Sequence, residues 1–505
     1  MVLQLCGRVC RRLSFENPSS IDEGFFAYNK FLFYKFRLLR VITLIHNNIP
    51  LLINNTMQTE KVVDMTRGAI APQIIRFTMP LIIGNFFVLT YNAVDSIIVG
   101  RFVGANALAA LGAASPVMNI MLFLIIGICL GMSVLMGNYF GSKDIDKLKR
   151  VISTSIIAGG LFTVLIVVLG FFFTHSILAL MNTPAVIIDD ATTYLQIIFI
   201  GLIFTFIYNI YAATLRSMGN SKVSLYFLIA SAFLNVVLDI LFVVIWKQGV
   251  AGAALATVIA EAFSALFCIL YVRFNIPFLR FKRSEFILDK DFLKIIMSYS
   301  SVAAMQQITL HLGKFLIQGA VNPLGVFVIA AFNAVTRIDD FVMIVQQNIG
   351  HGITGFLAQN KGKGNYNRIR KGFIIGVKME IFYSLLMTFI IFFFAKDLMI
   401  LFVGKGESQV VGEGVQYLKI MSILYLLPGL TNVIQGYFRG LGKMKKTLNS
   451  TFIQIIVRVT AAYLIASYFG IRGFALACLI GWIFMLGYQV PVLLKIGRKN
   501  RIKRY

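Results

Sequence analysis

Four oxygen-bearing side chains lie inside long apolar stretches of the chain. Asp95 lies in the stretch 72–99, Asn235 and Asp239 in 221–245, and Thr257 in 250–272. Asn235 and Asp239 are four residues apart, so on a helix they share one face. Carboxylate, amide and hydroxyl oxygens are ligands for a hard cation such as Na⁺. Two close carboxylates in a low dielectric can equally bind a proton as one titrating pair. The set therefore predicts a coupling site for Na⁺ or H⁺.

The depth of these residues supports one common site. At 1.5 Å per residue, Asp239 lies about 26 Å along its helix, and Thr257 about 10 Å from the opposite end of the next one. Asp95 reaches a similar level. Placing a carboxylate in a bilayer costs at least ~2.5–3.5 kcal/mol, so we expect each acid to have a structural or functional role. The alternative interpretation is that Asp95 and Asp239 only cap or hydrogen-bond neighbouring helices.

Composition indicates the elements that must position these residues. The 505-residue chain is 58% hydrophobic and 13% charged, whereas soluble domains are roughly 25% charged. Twelve segments approach or exceed the ~20 residues that cross a bilayer as a helix. They are 72–99, 106–137, 150–174, 190–213, 221–245, 250–272, 291–320, 326–357, 372–395, 412–437, 447–469 and 472–495. The sequence predicts an all-α polytopic membrane protein.

The distribution of Lys and Arg predicts an orientation. A net charge of +26 would favour nucleic acid in a soluble chain, but here the basic residues lie in short loops. Alternate loops and the C-terminal tail hold 27 of them, and the opposite loops hold five. By the positive-inside rule the rich side is cytoplasmic. We expect a multi-pass protein of the cell membrane, with cytoplasmic termini and no nucleic-acid partner.

Residues 1–56 fit this pattern poorly. They are basic and aromatic and lack the features of a signal peptide. One interpretation is that translation starts at Met57, and the other is a membrane-surface amphipathic segment. The predicted organisation is this extension, an N-terminal six-helix lobe at 57–285, and a C-terminal six-helix lobe at 286–505 with a basic tail.

The two halves repeat each other. Gly131 and Gly141 recur as Gly352 and Gly362, and Arg216-x-x-Gly219 recurs as Arg439-x-x-Gly442, at offsets of 221 and 223. Each half has six spans, so the halves are parallel repeats that can rock about an axis along the membrane normal. At this offset Asp95 maps to about Leu316, Asn235 to Arg458 and Asp239 to Ala462. The predicted cation site therefore belongs to the N-terminal lobe alone.

Three other acids also lie in the predicted spans. Glu261, Asp339 and Asp340 are candidates for the substrate cleft or a proton path. The alternative is that Arg337, Asp339 and Asp340 pair within one lobe or with Arg458, and that Glu261 is paired or faces outward. Histidines and cysteines lack metal-ligand spacing, and nucleophile–base pairs and phosphate loops are not visible, so an enzyme is not expected.

The sequence resembles the multidrug and toxic compound extrusion (MATE) family over roughly 70–495. The resemblance rests on Met79-Pro80, YNAVD at 91–95, GANALAAL at 104–111, the Gly-rich ends of spans 2 and 8, Arg216-x-x-Gly219, and LNVVLD at 234–239. It implies a V-shaped, two-lobed bundle that exports amphipathic, usually cationic compounds against inward Na⁺ or H⁺ flow. The branch whose cation site lies in the N-terminal lobe is the closer match, because the coupling carboxylates that other members carry in spans 7 and 10 are not matched: span 7 offers Gln306, Gln307 and Lys314, and span 10 has no acid from Val415 to Phe438.

The predicted function is a secondary antiporter that exports drugs or toxic metabolites in exchange for Na⁺ or H⁺. The only metal ion expected is Na⁺ at Asp95, Asn235, Asp239 and Thr257, with no other cofactor. The partners are a small-molecule substrate and the lipid bilayer, and the protein is expected to function as a monomer. The alternative is a lipid-linked oligosaccharide flippase of the same superfamily, for which Lys314, Arg337 and Arg458 could supply cations.

Overall fold

The computed structural model describes residues 62–404 and 406–502. The extension at 1–56 and the alternative start at Met57 lie outside the described residues, so both interpretations of them stay predictions.

The described residues form thirteen α-helices and no strand. The helices are α1 (Ile70–Phe102), α2 (Ala105–Ser142), α3 (Ile145–Leu180), α4 (Ala185–Ser217), α5 (Lys222–Asp239), α6 (Gly249–Asn275), α7 (Lys290–Val321), α8 (Val326–Gly362), α9 (Tyr366–Val403), α10 (Ser408–Leu424), α11 (Leu426–Gly440), α12 (Met444–Phe469) and α13 (Ile471–Ile502). A π-helical turn, Ile240–Ile245, extends α5. Helices α10 and α11 meet at a 44° bend and together form one broken span. The helices thus make the twelve crossings predicted, six in an N-lobe (α1–α6) and six in a C-lobe (α7–α13).

Length and apolar composition identify most of these crossings. In the described part of the chain, nine helices could span a membrane by these criteria, and the bent pair makes a tenth unit. Helices α7 and α8, with 32 and 37 residues, are long enough to span a membrane, but they carry too many polar side chains to meet the apolar criterion. Short links make successive helices antiparallel. All the loops rich in Lys and Arg therefore lie at one end of the bundle, which we call the basic end.

The repeat is visible in the turns at the helix ends. Asp144 and Asn365, 221 residues apart, both cap a helix at the basic end, each accepting a hydrogen bond of 3.1 Å from the backbone N–H three residues on. Gly219 and Gly442 both follow a helix with φ of +81° and +69°. A positive φ is accessible to glycine without the penalty that a side chain incurs. The duplicated residues thus specify duplicated turns.

Three hydrophobic clusters organise the bundle. One fills the N-lobe and a second fills the C-lobe. The third lies at the basic end and joins the start of α1 to α8, α9 and α11, with Ile74, Phe77, Phe356 and Phe438 among its members. The lobes are therefore packed together at the basic end.

Helices α2 and α8 approach each other most closely where the repeat places equivalent glycines. A Cβ atom at Gly141 would overlap the carbonyl oxygen of Gln359, and one at Gly362 would overlap that of Asn138. Asn138 and Gln359 are themselves repeat equivalents. Reciprocal contacts of this kind are those of a two-fold axis, so the pseudo-symmetry axis of the two lobes passes between these helices.

We expect Gly141→Leu and Gly362→Leu to lower the melting temperature of the purified protein, because the added side chain must push the α2 and α8 backbones apart. Overpacking of this kind costs typically 1–3 kcal/mol, and backbone overlap places these sites near or above about 3 kcal/mol. Gly487→Leu is the control, since Gly487 lies in a helix with open space around its Cα. Equal melting temperatures for all three variants would contradict this description of the contact.

Candidate functional site

The first feature of the candidate site is the register of α5 against α6. Ser231 donates a hydrogen bond of 2.7 Å to the carbonyl oxygen of Ala260. One turn further along, the Asn235 amide nitrogen donates to the Thr257 hydroxyl at 3.3 Å. Two residues chosen from the sequence by depth are thus in contact across antiparallel helices.

The two acids lie in the same part of the N-lobe. Asp239 is 0% exposed and Asp95 is 8% exposed. Helix α1, which carries Asp95, packs against α5, and the charge of Asp95 acts on Asp239. The structure therefore brings Asp95 within electrostatic range of Asp239, on the helix that also carries Asn235.

The oxygens of this group are poorly satisfied. Both carboxylate oxygens of Asp239, Oδ1 of Asp95 and Oδ1 of Asn235 are buried without a hydrogen-bond partner among the described residues. Uncompensated polar and charged groups are expensive to bury. Four such acceptors in one lobe form an environment that a cation or a proton would stabilise.

Helix α4 also contributes residues to the site, in addition to α1, α5 and α6, and the sequence did not predict this. Tyr194 is 5% exposed and lies within electrostatic range of Asp95, Asp239 and Glu261. Thr205 donates a hydrogen bond to the Glu261 carboxylate, and Glu261 lies one turn from Thr257. Glu261 is therefore held beside the predicted cation site, on the same helix as one of its members. Tyr194 and Thr205 lack charge, and only helix packing could have identified them.

The backbone changes its winding directly after Asp239. Residues Ile240–Ile245 are π-helical, and the Trp246 N–H donates to the carbonyl oxygen of Leu241 at 2.9 Å. Single π-helical turns are rare and occur often at functional sites. The equivalent helix of the C-lobe, α12, is α-helical from Met444 to Phe469. The irregular turn therefore distinguishes the lobe that carries the two acids.

The corresponding place in the C-lobe holds a fixed cation. Arg458, the repeat equivalent of Asn235, lies within electrostatic range of Cys478 and Asp339, and its Nε atom has no hydrogen-bond partner among the described residues. Asp239 is replaced by the fully buried Ala462. The guanidinium group therefore occupies the position where the N-lobe has free oxygens.

The remaining C-lobe candidates are mostly paired. Asp339 accepts a hydrogen bond from the Tyr425 hydroxyl. Asp340 forms an ion pair of 2.7 Å with Lys314, and both side chains are about half exposed. Arg337 is exposed. The pairing interpretation thus fits Asp340.

An arginine joins the two lobes at the basic end. Arg368, at the start of α9, donates to the carbonyl oxygens of Gly68, Met65 and Arg67 at 2.7, 3.1 and 3.3 Å. It also donates to the Gln73 side chain at 3.1 Å. These acceptors all lie just before or at the start of α1. The Arg368 contacts therefore close this end of the space between the lobes.

Two further contacts strengthen this closure. The Gln359 amide donates to the carbonyl oxygen of Ser217 at 2.8 Å, and the Lys363 ammonium donates to the Thr66 hydroxyl at 3.2 Å. Partial burial acts to raise the pKa of Asp64, but hydrogen bonds from Thr66 and the charge of Lys363 outweigh it and hold the pKa below its usual value. Asp64 thus stays ionised beside Lys363.

Comparison with known proteins identifies relatives of the whole bundle. The MatE family model matches residues 80–241 and 302–464, one segment in each lobe. The "Probable multidrug resistance protein YpnP" of Bacillus subtilis (strain 168) is 29% identical over 432 residues, covering 84% of this chain and 95% of that protein. The "Multidrug export protein MepA" of Staphylococcus saprophyticus is 22% identical over 426 residues, covering 84% and 93%.

Solved structures share the same fold. One described as "Crystal structure of MATE in complex with MaL6" superposes with a TM-score of 0.82 at 23% identity, covering 88% of this chain and 100% of that one. The predicted twelve-helix, V-shaped architecture of two parallel repeats is thereby confirmed. With one match of the family model in each six-helix half, this chain belongs to the MATE family of membrane transporters.

Proposed function

We propose that this protein is a secondary exporter of amphipathic, cationic compounds that is driven by Na⁺ or H⁺ bound in the N-lobe. The observation that carries the proposal is the set of unpartnered, buried oxygens on Asp95, Asn235 and Asp239. Thr257, which already accepts from Asn235, completes the oxygen set. Oxygen ligands of this kind suit a hard monovalent cation or a shared proton.

The substrate class is supported by the relatives. YpnP is named a multidrug resistance protein and MepA a multidrug export protein. The flippase alternative needs free cations in the cleft to hold a pyrophosphate. Of the three cations considered for this role, Lys314 is paired with Asp340 and Arg458 lies near Asp339. The third, Arg337, is an exposed side chain and is in none of the ion pairs of the described residues. The export of drugs or toxic metabolites is therefore the better-supported function.

In the proposed cycle the ion enters from the end opposite the basic end. The positive-inside rule assigns the basic end to the cytoplasm. In this structure that end is closed by the contact of Arg368 with Gly68, just before α1, and by the contact of Gly141 with α8. The conformation is then outward-facing. Ion binding reduces the negative charge of the Asp95–Asp239 pair and lets α1 and α5 repack as substrate leaves. The lobes next rock about the α2–α8 contact, the ion is released inside, and new substrate enters.

Helix α1 links the ion site to the closed end. Asp95 lies near its far end, while Phe77 and Thr78 pack against α8 at the basic end. Pro80 lies between these two regions and removes one hydrogen bond from the helix, which favours a kink there. Repacking around Asp95 can therefore change the contacts that keep the basic end closed.

The first test of this mechanism is the loss of coupling in Asp239→Asn and Asp95→Asn. An amide keeps the shape of the side chain but cannot exchange a charge. One charge moving through 100 mV supplies about 2.3 kcal/mol. We therefore expect the concentration ratio of a labelled cationic dye across proteoliposomes to fall by up to about fiftyfold, with Na⁺ and pH gradients imposed separately.

Two sets of variants control this test. Asp190→Asn removes an exposed acid at the start of α4 and should transport normally. Asn235→Ala and Thr257→Ala each remove one neutral ligand and should weaken coupling less than either acid variant. Normal pumping by Asp239→Asn against a gradient would show that the two acids are structural only.

A second test concerns the closed end. Arg368→Gln removes charge-assisted hydrogen bonds that contribute about 1.5–3 kcal/mol each, so the population with an open basic end should rise at least tenfold. The measurement is thiol labelling of Ala358→Cys, a fully buried position in α8, in purified protein. Arg370→Gln, an exposed arginine two residues away, is the control. Equal labelling rates in the two backgrounds would contradict the role of Arg368.

A third test concerns orientation. Single cysteines at Lys143 and Lys371, at the basic end, should resist impermeant thiol reagents in intact cells, and a cysteine at Lys247 should react. All three positions are exposed. The reverse labelling pattern would overturn the proposed direction of ion flow.

A further inference from the structure

The C-lobe contains a buried glutamate that the sequence analysis did not assign. Glu380, in α9, is 0% exposed, and neither of its carboxylate oxygens has a hydrogen-bond partner among the described residues. None of the ion pairs found in the described residues includes Glu380. An uncompensated buried carboxylate costs several kcal/mol, so Glu380 requires either a proton or a bound cation.

Polar side chains from two helices converge on one glycine beside Glu380. A Cβ atom at Gly429, in α11, would lie 2.8 Å from Ser384 Oγ, 3.0 Å from Glu380 Oε2 and 3.1 Å from Gln346 Nε2. The absence of a side chain at Gly429 thus leaves room for these three groups. Gln346 is also 0% exposed, and its Oε1 atom lacks a hydrogen-bond partner in the described part of the chain. Three buried oxygens are therefore unsatisfied on two neighbouring side chains.

The same place is the break in the tenth span. Tyr425 lies at the 44° bend between α10 and α11, and its carbonyl oxygen accepts from Gln346 at 2.8 Å and from Ser384 at 3.3 Å. The C-terminal end of a helix carries a partial negative charge. The bend therefore holds Gln346 and Ser384 in place beside Glu380 and adds a favourable dipole.

The donor set indicates the chemical class of the ligand. It consists of one carboxylate, one amide oxygen and one hydroxyl, with no sulfur or imidazole. Oxygen donors of this kind favour hard cations over transition metals. One carboxylate neutralises a single positive charge, which fits a monovalent ion.

We propose that Glu380, Gln346 and Ser384 form a second cation site, which binds Na⁺ in the C-lobe. This site is distinct from the N-lobe site: the residues come from α8 and α9, whereas Asp95, Asn235 and Asp239 lie on α1 and α5. Because Gln346 and Ser384 donate hydrogen bonds to the Tyr425 carbonyl at the bend, Na⁺ bound to them ties α8 and α9 to the junction of α10 and α11. The ion then stabilises one bend angle of the broken span.

The test is Na⁺ binding to the purified full-length protein, measured with radioactive sodium and by the melting temperature in NaCl against choline chloride at equal ionic strength. Glu380→Gln should remove one bound Na⁺ per chain and the Na⁺-dependent stabilisation that accompanies it. Gly429→Ala, which fills the space beside Glu380 without removing an acid, should also lower Na⁺ affinity. Glu407→Gln removes an exposed glutamate of the same lobe and should bind Na⁺ like the unmodified protein.

The same experiment separates the two sites. In Asp239→Asn the Na⁺ that remains should disappear when Glu380→Gln is added. If Glu380→Gln leaves Na⁺ binding unchanged, the C-lobe site is overturned, whether or not Asp239→Asn has an effect. If Glu380→Gln loses one Na⁺ and Asp239→Asn loses none, the C-lobe site is supported and Na⁺ binding in the N-lobe is not. Should Glu380→Gln not fold, Gly429→Ala and Gln346→Leu decide, and normal Na⁺ affinity in both overturns the proposal.

Discussion

The backbone contact between α2 and α8 is the constraint on which the arrangement of the lobes depends. Gly141 and Gly362 let each helix lie against a carbonyl oxygen of the other, a distance that any larger residue would prevent. The contact places the pseudo-two-fold axis and brings the start of α1 beneath the C-lobe, where Arg368 and the third hydrophobic cluster hold it. The space between the lobes is thereby closed at the basic end.

The two lobes share one arrangement of helices but bury different ionisable side chains. Where the N-lobe has Asn235 and Asp239, the C-lobe has Arg458 and Ala462, so a guanidinium group lies where the N-lobe has unpartnered oxygens. The C-lobe has its own buried acid, Glu380, at the bend of the broken span. A membrane interior offers no water to compensate an unpaired charge, so each lobe must satisfy its acids locally. Duplication therefore preserved turns and helix contacts, which depend on shape, and allowed the ionisable residues to diverge.

Irregular backbone marks both candidate cation sites. The π-helical turn follows Asp239, and the α10–α11 break lies beside Glu380. Both irregularities lie within helical spans that otherwise keep their backbone hydrogen bonds internal. Non-helical backbone at membrane depth is tolerated where protein surrounds it. Such places can supply carbonyl oxygens to an ion and can change geometry when the ion leaves.

The sequence by itself determined the membrane class, the twelve crossings, the repeat and the depth of the N-lobe acids, because these follow from apolar length, loop charge and the rise of a helix. The contact of Asn235 with Thr257 follows from the same depth argument. Only the tertiary structure decided that Tyr194 and Thr205 adjoin the site, that Arg368 reaches the start of α1, and that Glu380 lies against Gly429. Lipid tails are as apolar as a protein core, so hydropathy cannot distinguish the lipid-facing side of a helix from its buried side. Packing between helices distant in sequence sets which faces meet. This packing brings Glu380 of α9 against Gly429 of α11.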